Sequence, residues 1–555
     1  MHFYKGINYY DSPTIIMGRI MNVDSALGGI NDGSVVAISG FNIAATPEFL
    51  ILKLYERYRD TGHPRDLFIV ADTLPAARER ALDFVAKSMI KDGDFDFIRG
   101  FMLPFLGVAP WLQRLAIENR VEAYSFPIGV ATKWFRSVAS GIPTITKVGL
   151  GTFLDPRQDG IYLNDLARER RTCKVELVSI NGDEYLLYDC PKPSVGLIRG
   201  SATDEFGNLT MSEEAIYSSV LAITQAVKAQ PNPGTVIAQV LYVSRFVNPR
   251  DVHVPGPLID HIVVSPPEYH MQSASVKYDP SVCGRFMLSN ACLSDNDVPD
   301  FESAIARRIV LEFVNLVERL GKPITINLGI GIPALAARII KSEGIDDYIT
   351  ITVESGPWGG IALGGDDFGV AISPRAIIPM PDQFIMYEGG IIDAASLGFM
   401  QVGPNGDVNP SFLSERVTGP GGFPVIAHGT PRLYFAGAFT AGNRDIVVKN
   451  GKLTIVRDGS IIKFVKKPYK IGFNAELGLK AGKDVMYITE RAVFRLTSEG
   501  LVLEEYAPGI DIEKDVLAKM EFKPVVSRHI RPMDSAVFRE GPMRLLDVVT
   551  NAIRR

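Results

Sequence analysis

The sequence predicts an α/β fold of two similar halves with mostly parallel sheets and a β-rich C-terminal part. Three observations predict it. Strand-like and helix-like runs alternate along most of the 555 residues, the pattern of sheets covered by helices. One grammar of strand, glycine turn, proline-opened helix and strand occurs twice, roughly half a chain apart. From about residue 425 onward short β-branched runs take over, among them RLYFAG, RDIVVKNGKLTIV and DVMYITERAVFRLT.

Each element has its own signal. GSVVAISGFN is a strand ending in glycine; Thr46 then caps a helix that Pro47 opens and EFLILKLYERYRD continues, and DLFIVAD is the next strand. In the second occurrence ITINLGIGIP ends in glycines, Pro333 opens PALAARIIKSE, Gly344 stops it and YITITV follows. The segment from 265 to 300 is turn-rich and weakly periodic, so the connection between halves belongs there. FESAIARRIVLEFVNLVERLG, with apolar residues at helical spacing, opens the second half. The expected division is 1–270 for the N-terminal half, 271–299 for the connection, 300–530 for the C-terminal half and 531–555 for a tail. KNGK and RDGS carry hairpin-turn chemistry.

The totals exclude several functions. Apolar residues are 46%, charged residues 22% and the net charge −5, spread along the chain. No long basic run suits a nucleic acid or an anionic membrane surface. No run of about 18 apolar residues exists, so no membrane span is expected. The opening MHFYKGINYYDSPTIIMGRI has no continuous apolar stretch and is not rich in Arg and Ser, unlike a signal or transit peptide. A cytoplasmic location is therefore expected. Cys173, Cys190, Cys283 and Cys292 show no CxxC spacing and read as reduced, buried thiols. The histidines are scattered without HExxH, and no metal site has support.

The candidate chemistry centres on YITITVESGPWGGIALGGDDFG, residues 348–369. Glu354 is the first residue past a β-branched strand, and ligands of parallel α/β sheets bind beyond the carboxyl ends of strands. Six of the fifteen residues after it are glycine. Three readings fit. Glu354 is a strand-end acid capping a helix or pairing with a base. Or it is the ribose-binding acid of a dinucleotide site, with Gly329 and Gly331 in a G-x-G-x-x-A turn; against this, Pro333 removes an N–H from the helix start that would hold the pyrophosphate. Or it is a nucleophile. A carboxylate with a reference pKa of about 4.3 needs no base to activate it. It does need N–H groups for an oxyanion, close substrate approach and exclusion of water. Gly359 and Gly360 after it, and Gly389 and Gly390 in YEGGIID, offer bare backbone, and Trp358 could wall the pocket.

Taken together, these segments resemble the family I coenzyme A transferases, in the fused single-chain form of the acetate/propionate/3-ketoacid type. GVATKWFRSVASGIPTITKVGLGTFLDPRQDG and NPRDVHVPGPLIDHIVV resemble the first half of that family. INLGIGIPALA, TVESGPWGG, GPGGF, ITERAVFRLTSEGLVLEEYAPGID and LAKMEFKPVVS resemble its second. The resemblance implies a coenzyme-A-transferase α/β fold in each half and a catalytic Glu354. It implies ping-pong transfer of CoA from an acyl-CoA donor to a carboxylic acid through a glutamyl-CoA thioester, in short-chain acyl-CoA metabolism. It implies no cofactor, since CoA is a substrate, and a homo-oligomer. The alternatives are an acyl-CoA hydrolase or other CoA-ester enzyme on the same scaffold and, behind these, a dinucleotide-binding or a non-catalytic CoA-ester-binding protein.

The sequence departs from the family pattern in its loops. The glycine loop expected as G-G-G-x-D keeps Gly389 and Gly390 but has Ile391 next. In SGFNIAATP, Ser39, Asn42 and Ala45 stand at glycine positions, and Ile128 replaces the amide of a P-Q-G segment. Asn42, Ala45, Ile128 and Trp358 are therefore the expected acyl pocket, and Gly329, Gly331, Gly359, Gly360, Gly389 and Gly390 the expected oxyanion or CoA-binding backbone. Ala45 and Ile128 would add apolar wall and remove a hydrogen-bonding group, which favours apolar acyl chains over 3-keto acids.

Overall fold

The computed structural model describes residues 19–229, 231–288, 300–414 and 416–554. Residues 1–18 of the N-terminal stretch, Cys292 and residues 289–299 of the expected connection lie outside these.

Seven strands of the first half form one sheet: β1 Val35–Ile38, β2 Leu67–Ala71, β3 Ile98–Met102, β4 Glu122–Tyr124, β5 Val195–Arg199, β6 Thr235–Val240 and β7 His261–Val264. Their order is β7-β6-β5-β1-β2-β3-β4, and every neighbouring pair is parallel. Parallel neighbours need long crossovers; α1 Glu48–Thr61 lies in the one from β1 to β2, and α2 Ile128–Ser140 lies in the longer connection from edge strand β4 back to β5. Alternate residues of one strand enter two cores. Ala37 and Val70 join one, and Val36, Ile38 and Ile69 the other. Both faces are covered, which is why these strands read as continuous apolar runs rather than alternating ones.

The second half opens with α3 Phe301–Leu320 and repeats the plan in a ten-stranded sheet. Its strands are β8 Ile324–Leu328, β9 Ile349–Thr352, β10 Pro357–Trp358, β11 Ala376–Ile377, β12 Ala394–Gly398 and β13 Arg432–Ala436. They continue as β14 Asp484–Ile488, β15 Ala492–Thr497, β16 Gly500–Tyr506 and β17 Val525–Pro532. The order is β11-β10-β9-β8-β12-β13-β14-β15-β16-β17. From β9 to β14 all pairs are parallel. The β-rich C-terminal part extends this sheet, with β14, β15 and β16 pairing antiparallel. In both halves the first strand lies inside the sheet, its successor on one side and a later strand on the other, and such a switch leaves a crevice at the strand ends. Helices α4 Ile332–Ser342, α5 Met380–Glu388 and α6 Phe423–Gly429 cover this sheet.

Local expectations fare unevenly. Pro333 lies in the first turn of α4, and Gly344 follows its last turn at φ +69°. Thr46, however, does not cap α1. The helix starts at Glu48, and the Thr46 hydroxyl instead donates back to Asn42 O (2.8 Å). KNGK is the turn of a hairpin, with Asn450 and Gly451 both at positive φ between 445–449 and 452–457. RDGS is not: residues 461–462 pair with 440–441, and Asp458 is drawn to the Arg491 guanidinium (3.0 Å). Cys173 and Cys190 are disulfide-bonded rather than reduced. They flank two hairpin strands whose register sets Lys174 opposite Asp189, so the next residues outward face each other with Cα atoms 4.2 Å apart. Cys283 is half-buried. Among the described residues no helix is long and apolar enough to cross a membrane.

The halves meet through α2 and α5, where Lys133 pairs with Glu388 (2.6 Å) and Arg136 with Asp382 (2.9 Å).

Candidate active site

After β9 the chain folds back at once. Val353 N–H donates to Pro357 O and Gly356 N–H to Val353 O, both at 2.9 Å, and Thr352 pairs antiparallel with Trp358. Glu354 and Ser355 are the tip of this turn. Gly356 sits at φ +126°, and a Cβ there would lie 2.1 Å from Ile378 O, so only glycine fits. The Ser355 hydroxyl bonds Gly369 O. The turn is thus held on both sides and projects Glu354 beyond the strand ends.

Facing it is the GPGGF backbone. Gly421 N–H donates to Pro104 O and Ile128 N–H donates to Gly421 O, both at 2.9 Å, which ties this loop of the second half to the first. A Cβ on Gly422 would lie 1.8 Å from Glu354 Oε2. Bare backbone therefore lies directly against the carboxylate. Gly422 N–H, at the cap of α6, has no acceptor in the chain among the described residues.

Glu354 opens into a cavity of about 240 Å³ between the halves. The first half contributes Phe41, Asn42, Thr73, Phe105 and Ile128; the second contributes Asn327, Gly329, Phe368 and Gly422. Glu354 is the one charged side chain lining it among the described residues. Its half-buried carboxyl has no hydrogen bond or ion pair among them, and enclosure alone pushes it from the ordinary 4.5 up to about 7. Asn327, at 1% exposure, donates to Thr352 O (3.2 Å) and Tyr387 Oη (3.0 Å), and its Oδ1 stays unpaired. A second groove of about 190 Å³ shares Ile330, Gly398 and Phe399 with the cavity and carries Arg444 and Lys463. Lys463 Nζ lies 4.0 Å from the Phe399 ring centroid, and burial pushes its ammonium down to about 8.

The residues singled out in the sequence are not all brought together. Glu354, Gly329, Asn42 and Ile128 line the cavity. Ala45 does not; it is fully buried beside the loop, with its carbonyl accepting from Ser39 Oγ (3.0 Å). Trp358 is drawn away, its indole N–H donating to Gln383 Oε1 (2.5 Å). Gly359 and Gly360, at φ +68° and +70°, pack against Arg375 and the Ile372 carbonyl behind the turn that carries Glu354. Gly331, at φ +87°, caps α4. Gly389 and Gly390 end α5, outside the cavity, because Gly390 at φ +71° turns the chain beside Gly429 O. Sequence reasoning missed Gly422, Phe41, Phe105, Phe368 and Asn327 as site residues. GPGGF was the available signal for the first; the rings come from distant loops and carry none.

Two like α/β halves enclosing one isolated carboxylate against a glycine backbone describe a two-half α/β protein with a candidate active site at the joint. Comparison with known proteins narrows this. The coenzyme A transferase family model matches residues 20–265. Caffeate CoA-transferase of Acetobacterium woodii is 33% identical over 533 residues, covering 94% of this chain and 98% of that protein. Acetate CoA-transferase YdiF of Escherichia coli K12 is 33% identical over 544 residues, covering 96% and 97%. The crystal structure of acyl-CoA transferase YdiF from E. coli O157:H7 in its thioester complex with CoA matches with a TM-score of 0.84 at 31% identity, covering 95% of this chain and 98% of that one. The chain belongs to the coenzyme A transferase family, and it is a CoA-transferase with the single-chain α/β architecture of that family.

Proposed function

We propose that this enzyme moves CoA from an acyl-CoA donor to a carboxylic acid acceptor through a thioester on Glu354. The observation that carries the reading is the isolation of Glu354 as the one charged group lining the cavity. The steps need no other. A Glu354 oxygen attacks the donor thioester carbonyl, forming a mixed anhydride and expelling CoA thiolate. The thiolate attacks the Glu354 carboxyl carbon, releasing the donor acid as its carboxylate and leaving glutamyl-CoA. An acceptor carboxylate attacks that thioester, giving a second anhydride and thiolate. The thiolate then takes the new acyl group and frees Glu354. Each step exchanges one anion for another, so no proton has to move and no histidine or lysine acid–base partner is required.

Several features support the reading. Gly422 N–H has no acceptor among the described residues, and its backbone lies beside the carboxylate, which makes it a candidate donor to an oxyanion there. Arg444 and Lys463, one groove away past Phe399, suit the phosphates of CoA. Binding energy gained there can offset the cost of the anhydride. The solved E. coli relative was captured as a thioester complex with CoA.

The test is mass spectrometry after incubation with butyryl-CoA and no acceptor. The expected result is an adduct of the mass of CoA on the peptide containing TVESGPWGG, lost in Glu354→Ala, whose circular dichroism remains native. Brisk turnover with no adduct would sink the nucleophile assignment. Steady CoA release without an acceptor acid would assign a hydrolase instead.

A further inference from the structure

We propose that the acyl end of the cavity takes monocarboxylic acyl groups with apolar bodies and turns away those bearing a second carboxylate. This rests on the transferase reading and specifies its substrate class. One side of the cavity runs into the groove of Arg444 and Lys463. Away from that groove the first half supplies Phe41, Leu74, Phe105, Val108 and Ile128. Phe41 faces Phe368 of the second half with ring centroids 6.1 Å apart, closing the wall across the joint. No lysine, arginine or histidine lines the cavity among the described residues.

The two polar side chains that the first half adds to this wall each have a backbone partner. The Thr73 hydroxyl bonds Gly40 O, and Asn42 Nδ2 donates to Phe368 O (3.2 Å). Neither arginine of a neighbouring loop lines the cavity: Arg80 pairs with Glu48, and Arg78 is exposed to solvent near Asp366 (3.9 Å). A second carboxylate on the acyl chain would therefore lie unpaired against hydrocarbon and near the charge of Glu354. An unpaired buried charge is strongly disfavoured, and a like charge beside it adds repulsion. A methyl or branched end in the same place is stabilised by the same wall.

The experiment compares butyryl-CoA with succinyl-CoA. With acetate as acceptor, kcat/KM should favour butyryl-CoA at least roughly 100-fold. In parallel, Glu354→Gln, which keeps the wall and loses the nucleophile, is titrated calorimetrically with both thioesters. Butyryl-CoA should bind it at least about tenfold more tightly. Comparable kcat/KM values, comparable Kd values, or failure of both thioesters to bind would each overturn the proposal. If the native enzyme transfers nothing from any donor, it is the transferase reading that fails, and the calorimetric arm by itself decides which acyl groups the cavity admits.

Discussion

Glu354 combines two demands that oppose each other. Attack requires the carboxylate, yet the enclosure that keeps water from an anhydride favours the neutral acid and sets the carboxyl at about 7. Two consequences are measurable. The free enzyme is half-ionised near neutrality, so kcat/KM should rise with pH through about 7 and level off above it. A flat profile from about pH 5 to 8 would remove Glu354 as the titrating nucleophile. Stability should respond in the opposite sense. The carboxyl titrates near 4.5 when unfolded and near 7 when folded, so between those values the folded chain holds the extra proton. The stabilisation from this group is therefore fully present below about 4.5 and is lost as pH rises through 7. Glu354→Gln should match the native protein near about pH 4. At about pH 8 it should exceed it by on the order of 2 kcal/mol, allowing for the partial exposure of the side chain. Urea titrations at the two pH values read this directly.

Two glycine pairs that look alike in the sequence sit in different elements and should fail differently. Gly421 and Gly422 precede α6, and a Cβ on Gly422 would collide with Glu354 Oε2. Gly389 and Gly390 end α5, and a Cβ on Gly390 would lie 2.8 Å from Gly429 O at a φ of +71°. Gly422→Ala should lower kcat by about 100-fold or more while moving Tm little, since it displaces the reacting group. Gly390→Ala should cost about 1–2 kcal/mol of stability and leave kcat per folded molecule unchanged, since it strains only a helix stop. Reversal of the two phenotypes would relocate the reacting backbone to the end of α5. The contrast also marks what could be read without coordinates. Strand, glycine turn, Pro333 and Glu354 were legible because periodicity and proline chemistry are local. Positions 42 and 45, where the family resemblance expects glycine, keep left-handed backbones at φ +54° and +55° although the residues are Asn and Ala. Only the backbone says that. Partner choice was not legible: Asp458 selects Arg491 over a hairpin, Cys173 finds Cys190 through strand register, and Trp358 turns to Gln383.

The molecule as a whole divides its site between two self-sufficient sheets. Every strand of the seven-stranded sheet lies within 35–264 and every strand of the ten-stranded sheet within 324–532. Each half can therefore complete its own backbone pairing. The cavity cannot be completed that way. Glu354 and Gly422 come from one half, while Phe41, Phe105 and Ile128 come from the other. The loop beside Glu354 hangs on hydrogen bonds across the joint, from Ile128 N–H to Gly421 O (2.9 Å), from Gly421 N–H to Pro104 O (2.9 Å) and from Leu106 N–H to Thr418 O (2.7 Å). Without those anchors Gly422 has no reason to stay against the carboxylate, and the carboxylate itself would face solvent. Its pKa should then fall back toward the ordinary range, and any anhydride would meet water. Residues 1–270 and 300–555, produced as separate chains, should accordingly each fail to form the CoA adduct with butyryl-CoA. Mixing them should restore adduct formation on Glu354, because the interface that rebuilds the wall also carries the Lys133–Glu388 and Arg136–Asp382 pairs. Mass spectrometry of each chain and of the mixture makes the comparison. Labelling of the isolated 300–555 chain at the rate of the intact enzyme would show that the first-half wall contributes nothing to the chemistry.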